Sequence, residues 1–232
     1  MTKPDWTAAL AEAERIAGKW AGAQPGGAIL LFDRDGIRGA TCAGLASLVH
    51  GTPFTPTTPS RFASITKHLL CAFALHRGFD LAAPLGATLP ELPASIAAVP
   101  GLRALSMTGG IPDLLPSYTI CGVPHSATVD AAALDAFPLT LPGLDFAPGS
   151  EMSYSNTGYR LVEHALARQG EVFGAWVEGA LNDALGTGFR FPGAWGTARR
   201  ISAASAPVVW IGATALSATI ALAIRLAIGS SP

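Results

Sequence analysis

Residues 61–67, RFASITK, are the most informative stretch of this 232-residue chain, because one of only three lysines follows a serine by three positions there. An apolar run over 69–75 comes next and predicts that the stretch opens a buried helix. On a helix, Ser64 and Lys67 share one face about one turn apart. The amine can then reach the hydroxyl, which is the arrangement that activates a serine nucleophile.

A second motif follows about ninety residues later and makes coincidence a poor explanation. With fifteen serines and three lysines, chance alone gives Ser-x-x-Lys roughly one time in five. Tyr154-Ser155-Asn156 uses one of three tyrosines and one of two asparagines, and chance Tyr-x-Asn is about one in forty. The pair together is on the order of one in two hundred. Ser64, Lys67, Tyr154 and Asn156 are therefore the candidate site residues.

The composition excludes several classes of protein. Half of the residues are hydrophobic and 13% are charged, so the chain can bury a sizeable core and does not belong to the disordered class. A net charge of -1 without a basic stripe argues against a nucleic-acid partner. The five histidines show no metal-ligand spacing, and no Cys-x-x-Cys occurs. We expect no metal or other cofactor, and reduced or buried thiols of an intracellular protein.

The N-terminal part of the chain predicts a helix followed by a β-hairpin. Apolar residues recur at helical spacing from Trp6 to Trp20, and the charges among them argue against a signal peptide, so we expect a cytoplasmic protein. Asp35-Gly36 between the apolar runs 28–32 and 37–45 is a strong hairpin signal. Further along, the pattern predicts irregular segments at 51–60 and 80–99 and helices at 126–137 and 158–168, the last with Asn156 as its N-cap.

The last part of the chain differs in composition. Residues 201–224 carry no charge, and 208–228 are nearly all apolar or small, with Arg225 the single interruption. Such a run is long enough to span a membrane. Its threonines, serines and glycines favour a buried core segment instead, and a disordered or damaged end is the third alternative.

The motifs in their order resemble the serine beta-lactamase-related family. The resemblance extends over residues 26–195 and rests on four motifs: Ser64-x-x-Lys67, GGIPD at 109–113, Phe146-x-Pro148-Gly149 and Tyr154-Ser155-Asn156. The family includes class C beta-lactamases, penicillin-binding D-alanyl-D-alanine carboxypeptidases, esterases and D-aminopeptidases. Residues 114–123 and Asn156-x-Gly158-x-Arg160 are similar to the D-aminopeptidase branch.

The resemblance implies an α+β fold of the beta-lactamase/transpeptidase type. In that fold an antiparallel sheet is flanked by helices and accompanied by a mainly helical subdomain. It also implies a single domain over residues 1–232 that needs no cofactor and acts on a small-molecule or peptide substrate.

The resemblance further implies a serine hydrolase that cleaves an amide or ester through an acyl-enzyme. Ser64 would be the acylated nucleophile, and Lys67 would accept or relay its proton. Tyr154 would be the base in acylation and the acid for the leaving amine, since a phenol is a useful base near neutrality only beside a cation. Asn156 would hydrogen-bond Lys67 and the substrate amide. Each residue also has a structural interpretation: a helix cap for Ser64, a solvated charge for Lys67, packing for Tyr154 and an N-cap for Asn156.

One expected motif is missing from the sequence. Relatives carry Lys-Thr-Gly or His-x-Gly on a late strand, whereas this chain has no Lys-Thr-Gly and no histidine after His164. The resemblance therefore predicts a C-terminally truncated member without late sheet strands, whose incomplete oxyanion hole would cost about a hundredfold in rate. An open sheet edge would favour a homo-oligomer. The alternatives to an active enzyme are an inactive binding fragment and a protein tethered to a membrane through residues 201–228.

Overall fold

The structure, a computed structural model, describes residues 5–33, 36–58, 60–61, 63–123, 128–191, 198–200 and 210–211. The chain divides into two compact units. The first contains the described residues up to 61 together with 180–190 and 210–211, and the second contains those of 63–179, 191 and 198–200. Within these described ranges the strands form two-stranded antiparallel sheets.

The first unit begins with a helix and a hairpin, as the sequence predicts. Helix α1 (Trp6–Ala17) is capped by Asp5, whose carboxylate accepts a hydrogen bond from the Ala8 amide. A 3₁₀ turn continues α1, and strands β1 (Gly27–Asp33) and β2 (Gly36–Ala43) pair in antiparallel fashion. The helix packs on β2, so this hairpin is covered on one side by α1.

The second predicted strand is shorter than expected. It was expected to run to residue 45, but β2 ends at Ala43 because Gly44 adopts a φ of +77°. A side chain on Gly44 would also lie 2.6 Å from the backbone of Gly26. The remaining strands are short: β3 (Leu45–Ser47) pairs with β4 (Thr52–Pro53), β5 (Ser60–Arg61) with β8 (Trp210–Ile211), and β6 (Thr128–Asp130) with β7 (Ala198–Arg200).

The second unit is mainly helical. A 3₁₀ turn over Ala63–Ile65 precedes α2, and two further 3₁₀ turns occupy Leu85–Ala87 and Phe137–Thr140. The α-helices are α2 (Thr66–His76), α3 (Ala94–Ala97), α4 (Gly101–Leu105), α5 (Leu114–Ile120), α6 (Ala131–Ala136), α7 (Asn156–Arg168) and α8 (Phe173–Trp176). A π-helical turn, Val177–Leu181, begins in this unit and is followed along the chain by α9 (Asn182–Leu185), which belongs to the first unit.

The core of the second unit lies between α2, α7 and α8. Phe73 of α2 is fully buried, and its ring centroid lies 5.5 Å from that of Phe173 and 5.2 Å from that of Trp176. Val162 and Leu166 of α7 are fully buried as well. Because α2 and α7 are packed together in this way, residues near the N-terminal ends of both helices are held close to one another.

The predicted starts of two helices are wrong. The helix expected from residue 126 begins at Ala131, because the β-branched pair Thr128-Val129 is extended and pairs with β7. Helix α7 begins at Asn156 and its N-cap is Ser155, not Asn156. The apolar tail at 201–228 lies outside the described residues apart from β8. Its three interpretations, as a membrane span, a buried core segment or a disordered or damaged end, therefore stay predictions. No helix in the described part of the chain is long and apolar enough to cross a membrane.

Candidate active site

Ser64 lies in a strained turn at the entrance to α2. The preceding residue, Ala63, has a φ of +44°, a left-handed conformation that costs an L-residue with a side chain about 1–2 kcal/mol. Ser64 belongs to the 3₁₀ turn and α2 starts two residues later, so the serine is exposed while Lys67 is buried below it. The helical spacing expected from the sequence is thus realised by a 3₁₀ turn that passes into an α-helix.

The four candidate residues come together in one hydrogen-bonded cluster. The Ser64 Oγ lies 2.6 Å from the Tyr154 Oη, although ninety residues separate them in sequence. The Lys67 ammonium donates a 3.4 Å hydrogen bond to the Ser64 Oγ and a 2.6 Å hydrogen bond to the Asn156 Oδ1. Tyr154 is 47% exposed, so the serine–phenol pair is open to solvent on one side.

Lys67 is held as a buried, partnered cation. Its side chain is only 4% exposed, and its Nζ lies 4.9 Å from the ring centroid of Tyr154 and 5.4 Å from that of Tyr159. Aromatic faces stabilise the ammonium form, and the Asn156 oxygen satisfies one of its donors. The interpretation of Lys67 as a solvated surface charge is therefore wrong.

Asn156 is free to contact Lys67 because its neighbour caps the helix. The Ser155 hydroxyl accepts the hydrogen bond of the Gly158 amide, which is the N-cap interaction of α7. The Asn156 side chain is therefore not used for capping. It is almost fully buried and offers Oδ1 to Lys67 while its Nδ2 donates to Asp113.

Asp113 is a member of the cluster that the sequence did not reveal. Its carboxylate accepts hydrogen bonds from the Asn156 backbone amide at 2.8 Å and from the Asn156 Nδ2 at 3.1 Å. Burial raises the pKa of this carboxyl, and the two bonds from Asn156 and the charge of Lys67 oppose that rise. Asp113 closes the GGIPD turn, but nothing in the sequence spacing connects it to Asn156.

A second phenol, Tyr159, supports Lys67 without reaching the serine. Its Oη donates a 2.5 Å hydrogen bond to the Leu105 carbonyl and accepts a weak one from the Cys71 thiol. Burial raises the pKa of Tyr159 far above its ordinary value, and Cys71 adds to the rise. Tyr159 therefore remains a neutral phenol, and Tyr154 is the phenol that lies within hydrogen-bond distance of Ser64.

The comparisons with known proteins identify the family and the fold. The beta-lactamase family model matches residues 12–178, so the chain belongs to the beta-lactamase family of serine hydrolases related to penicillin-binding proteins. Among curated proteins, none matches the sequence. The fold is of the beta-lactamase/transpeptidase type, as predicted from the motifs.

Solved structures with this fold include enzymes that act on D-amino-acid compounds. SurE is 24% identical, with a TM-score of 0.68 over 92% of this chain and 52% of its own. D-alanine carboxypeptidase AmpC from Burkholderia cenocepacia is 22% identical, with a TM-score of 0.68 over 94% and 64% of the two chains. D-amino acid amidase from Ochrobactrum anthropi SV3, bound to D-phenylalanine, is 19% identical, with a TM-score of 0.65 over 93% and 70%. The chain thus spans about half the length of SurE.

Proposed function

We propose that the chain is a serine hydrolase that cleaves an amide or ester through an acyl-enzyme on Ser64. The observation that carries this proposal is the 2.6 Å distance between the Ser64 hydroxyl and the Tyr154 phenol, with the Lys67 ammonium beside both. A nucleophile within hydrogen-bond distance of a base, itself oriented by a third group, is the arrangement that activates a serine.

Each group has one role in the proposed reaction. The Tyr154 phenolate, stabilised by the Lys67 ammonium, takes the proton of Ser64 as the serine oxygen attacks the substrate carbonyl. The tetrahedral intermediate collapses to an ester on Ser64, and Tyr154 returns the proton to the leaving amine or alcohol. A water molecule then attacks the ester, Tyr154 takes its proton and passes it to the departing Ser64 oxygen, and the acid is released. Asn156 holds Lys67 in place. The substrate contact expected for Asn156 stays a prediction, because this residue is 1% exposed and its amide is already bonded to Lys67 and Asp113.

The related structures support a substrate class. The D-alanine carboxypeptidase and the D-amino acid amidase are named for D-amino-acid substrates. We therefore propose an amide bond next to a D-residue as the scissile bond, as in a D-aminopeptidase. The cytoplasmic location, the homo-oligomer, the single domain over 1–232 and the absence of a cofactor remain predictions.

Covalent labelling tests the nucleophile. The purified chain is incubated with a fluorophosphonate or a penicillin, and intact and peptide masses are measured. We expect one adduct on Ser64 that Ser64→Ala abolishes and Lys67→Ala slows by about a hundredfold or more. Ser95→Ala is the matched control, because Ser95 is an exposed serine on the short helix α3. A folded chain that gives no adduct, or gives it on another serine, would refute the proposal.

The second candidate function is a binding fragment that does not turn over. Labelling of Ser64 without multiple turnovers of a chromogenic ester or a D-residue amide would support this alternative over the hydrolase. Turnover that disappears in Ser64→Ala would support the hydrolase.

A further inference from the structure

We infer that Asp113 is a positioning residue, which fixes the Asn156 amide with its oxygen toward Lys67 and thereby holds the Lys67 side chain beside Ser64 and Tyr154. This inference rests on the proposed function, because the position of Lys67 matters for catalysis only if its ammonium stabilises the Tyr154 phenolate. It concerns a carboxylate that touches neither the nucleophile nor the base.

The first argument is the orientation of one amide. The Asn156 side chain has a donor end and an acceptor end, and Asp113 accepts from the donor end at 3.1 Å. If the amide turned over, its oxygen would face the Asp113 carboxylate and its NH₂ group would face the Lys67 ammonium. Both contacts would be repulsive. The Asp113 carboxylate therefore fixes the orientation of the Asn156 amide, with its Oδ1 toward the Lys67 Nζ at 2.6 Å.

The second argument is the reciprocal connection between α5 and α7. The Leu114 amide at the start of α5 donates to the Thr157 Oγ1, while the Asn156 amide at the start of α7 donates to the Asp113 Oδ1. The first backbone amide of each helix thus donates a hydrogen bond to a side chain at the N-terminal end of the other helix. Asn156 and Thr157 are 1% and 0% exposed, so this junction is well packed and holds Asn156 in register with Lys67.

The third argument is the balance of charge around Lys67. The groups that face its ammonium are Ser64 on the preceding turn, Tyr154 and Asn156 at the start of α7, and Tyr159 one turn later. Cys71 of α2 lies behind Tyr159. All of these are neutral groups when Tyr154 is a phenol. Asp113, behind Asn156, brings a carboxylate to the cluster, and a hydrogen-bonded amide between an anion and a cation is polarised by both.

Asp113→Asn tests the inference because it keeps the size and removes the charge. In this variant the side-chain amide at position 113 has one oxygen, so it cannot replace both carboxylate oxygens that accept from the Asn156 backbone amide and Nδ2. The substitution also removes the negative charge on the far side of Asn156 from Lys67. We expect the rate constant for fluorophosphonate labelling of Ser64 to fall about tenfold at neutral pH. Asp113→Glu keeps the carboxylate and should recover part of that rate. A rate in Asp113→Glu no higher than in Asp113→Asn would overturn the inference.

Thr157→Val is the matched control. It removes the other bond of the junction, from the Leu114 amide, without changing any charge. It should lower the unfolding temperature but leave the rate constant for labelling of Ser64 close to that of the parent chain. A fall of this rate constant in Thr157→Val equal to that in Asp113→Asn would show that loosening of the junction, and not the carboxylate, is responsible, and would overturn the inference.

Hydrogen exchange separates this inference from the proposed function. The chain has only two asparagines, so the side-chain NH₂ signals of Asn156 can be assigned by NMR with Asn156→Ala as reference. These protons should exchange with water more slowly in the parent chain than in Asp113→Asn, even if Ser64 is never labelled. Equal exchange in both chains would overturn the role of Asp113, and labelling of the parent would still support the hydrolase.

Discussion

The hydroxyl oxygens of Ser64 and Tyr154 lie 2.6 Å apart, whereas the Lys67 amine lies 3.4 Å from the same serine oxygen. The shorter contact belongs to the phenol, and the lysine is already engaged by Asn156. The distances therefore support the proposed role of Tyr154 as the group that takes the serine proton, with the Lys67 ammonium beside both hydroxyls.

Tyr154→Phe should separate these two roles. The variant keeps the ring beside Lys67 and removes the oxygen that contacts Ser64. We expect the labelling rate constant of Ser64 to fall by about 10²–10⁴-fold. The free energy of unfolding should change by no more than about 0.5 kcal/mol, since the side chain is 47% exposed. Tyr118→Phe, which also removes a phenol oxygen, should label normally. Unchanged labelling of Tyr154→Phe would identify Lys67 as the base.

Ser155→Ala and Asn156→Ala should differ in their effect on the labelling of Ser64. Ser155 caps α7, so its loss should lower the free energy of unfolding by about 1 kcal/mol and leave labelling of Ser64 nearly unchanged. Asn156→Ala removes the acceptor of the buried Lys67 ammonium, and labelling should fall by about a hundredfold. Denaturant unfolding and labelling kinetics measure the two effects. Slow labelling in Ser155→Ala would instead show that the cap itself sets the geometry of the site.

The site was predictable where its geometry is local. Ser64 and Lys67 are three residues apart, so helical periodicity alone brings them together. Tyr154 and Asn156 were connected to them only through the family resemblance, since no local rule relates residues ninety positions apart. The cap of α7 was assigned one residue too far along, because serine and asparagine are equally good caps and the sequence offers both. Asp113 was missed because its bonds to Asn156 cross 43 positions.

Thr66→Val should stabilise the protein. The Thr66 hydroxyl is buried at the start of α2 and has no hydrogen-bond partner among the residues that the structure describes, so folding removes it from water without compensation. Valine has the same shape without the polar group, and we expect the free energy of unfolding to rise by about 1 kcal/mol. The same substitution at Thr157, which accepts a bond from the Leu114 amide, should have the opposite sign. A loss of stability in Thr66→Val would mean that this hydroxyl is compensated in solution.

Ala63→Gly should measure the strain at the entrance to α2. Glycine adopts the left-handed φ of Ala63 without a steric penalty, so the free energy of unfolding should rise by up to about 1 kcal/mol. Ala63→Val should lower it, because β-branched residues are strongly disfavoured at positive φ. In thermal unfolding of the three chains, we expect the unfolding temperature to decrease in the order glycine, alanine, valine at position 63. Any other order would show that the backbone relaxes at this position and that the turn stores no strain.

His164 should make the protein sensitive to mild acid. Burial lowers the pKa of His164, the Arg160 and Arg168 guanidinium groups lower it further, and the carboxylates of Asp135 and Glu91 oppose them. The folded chain therefore binds fewer protons than the unfolded chain just below the ordinary histidine pKa of about 6.5, so the free energy of unfolding falls as the pH falls through this range. His164→Gln cannot titrate, and it should lose less stability than the parent between pH 7 and pH 5. His50→Gln, at an exposed histidine, should behave like the parent, and an equal loss in all three chains would assign the acid sensitivity to other groups.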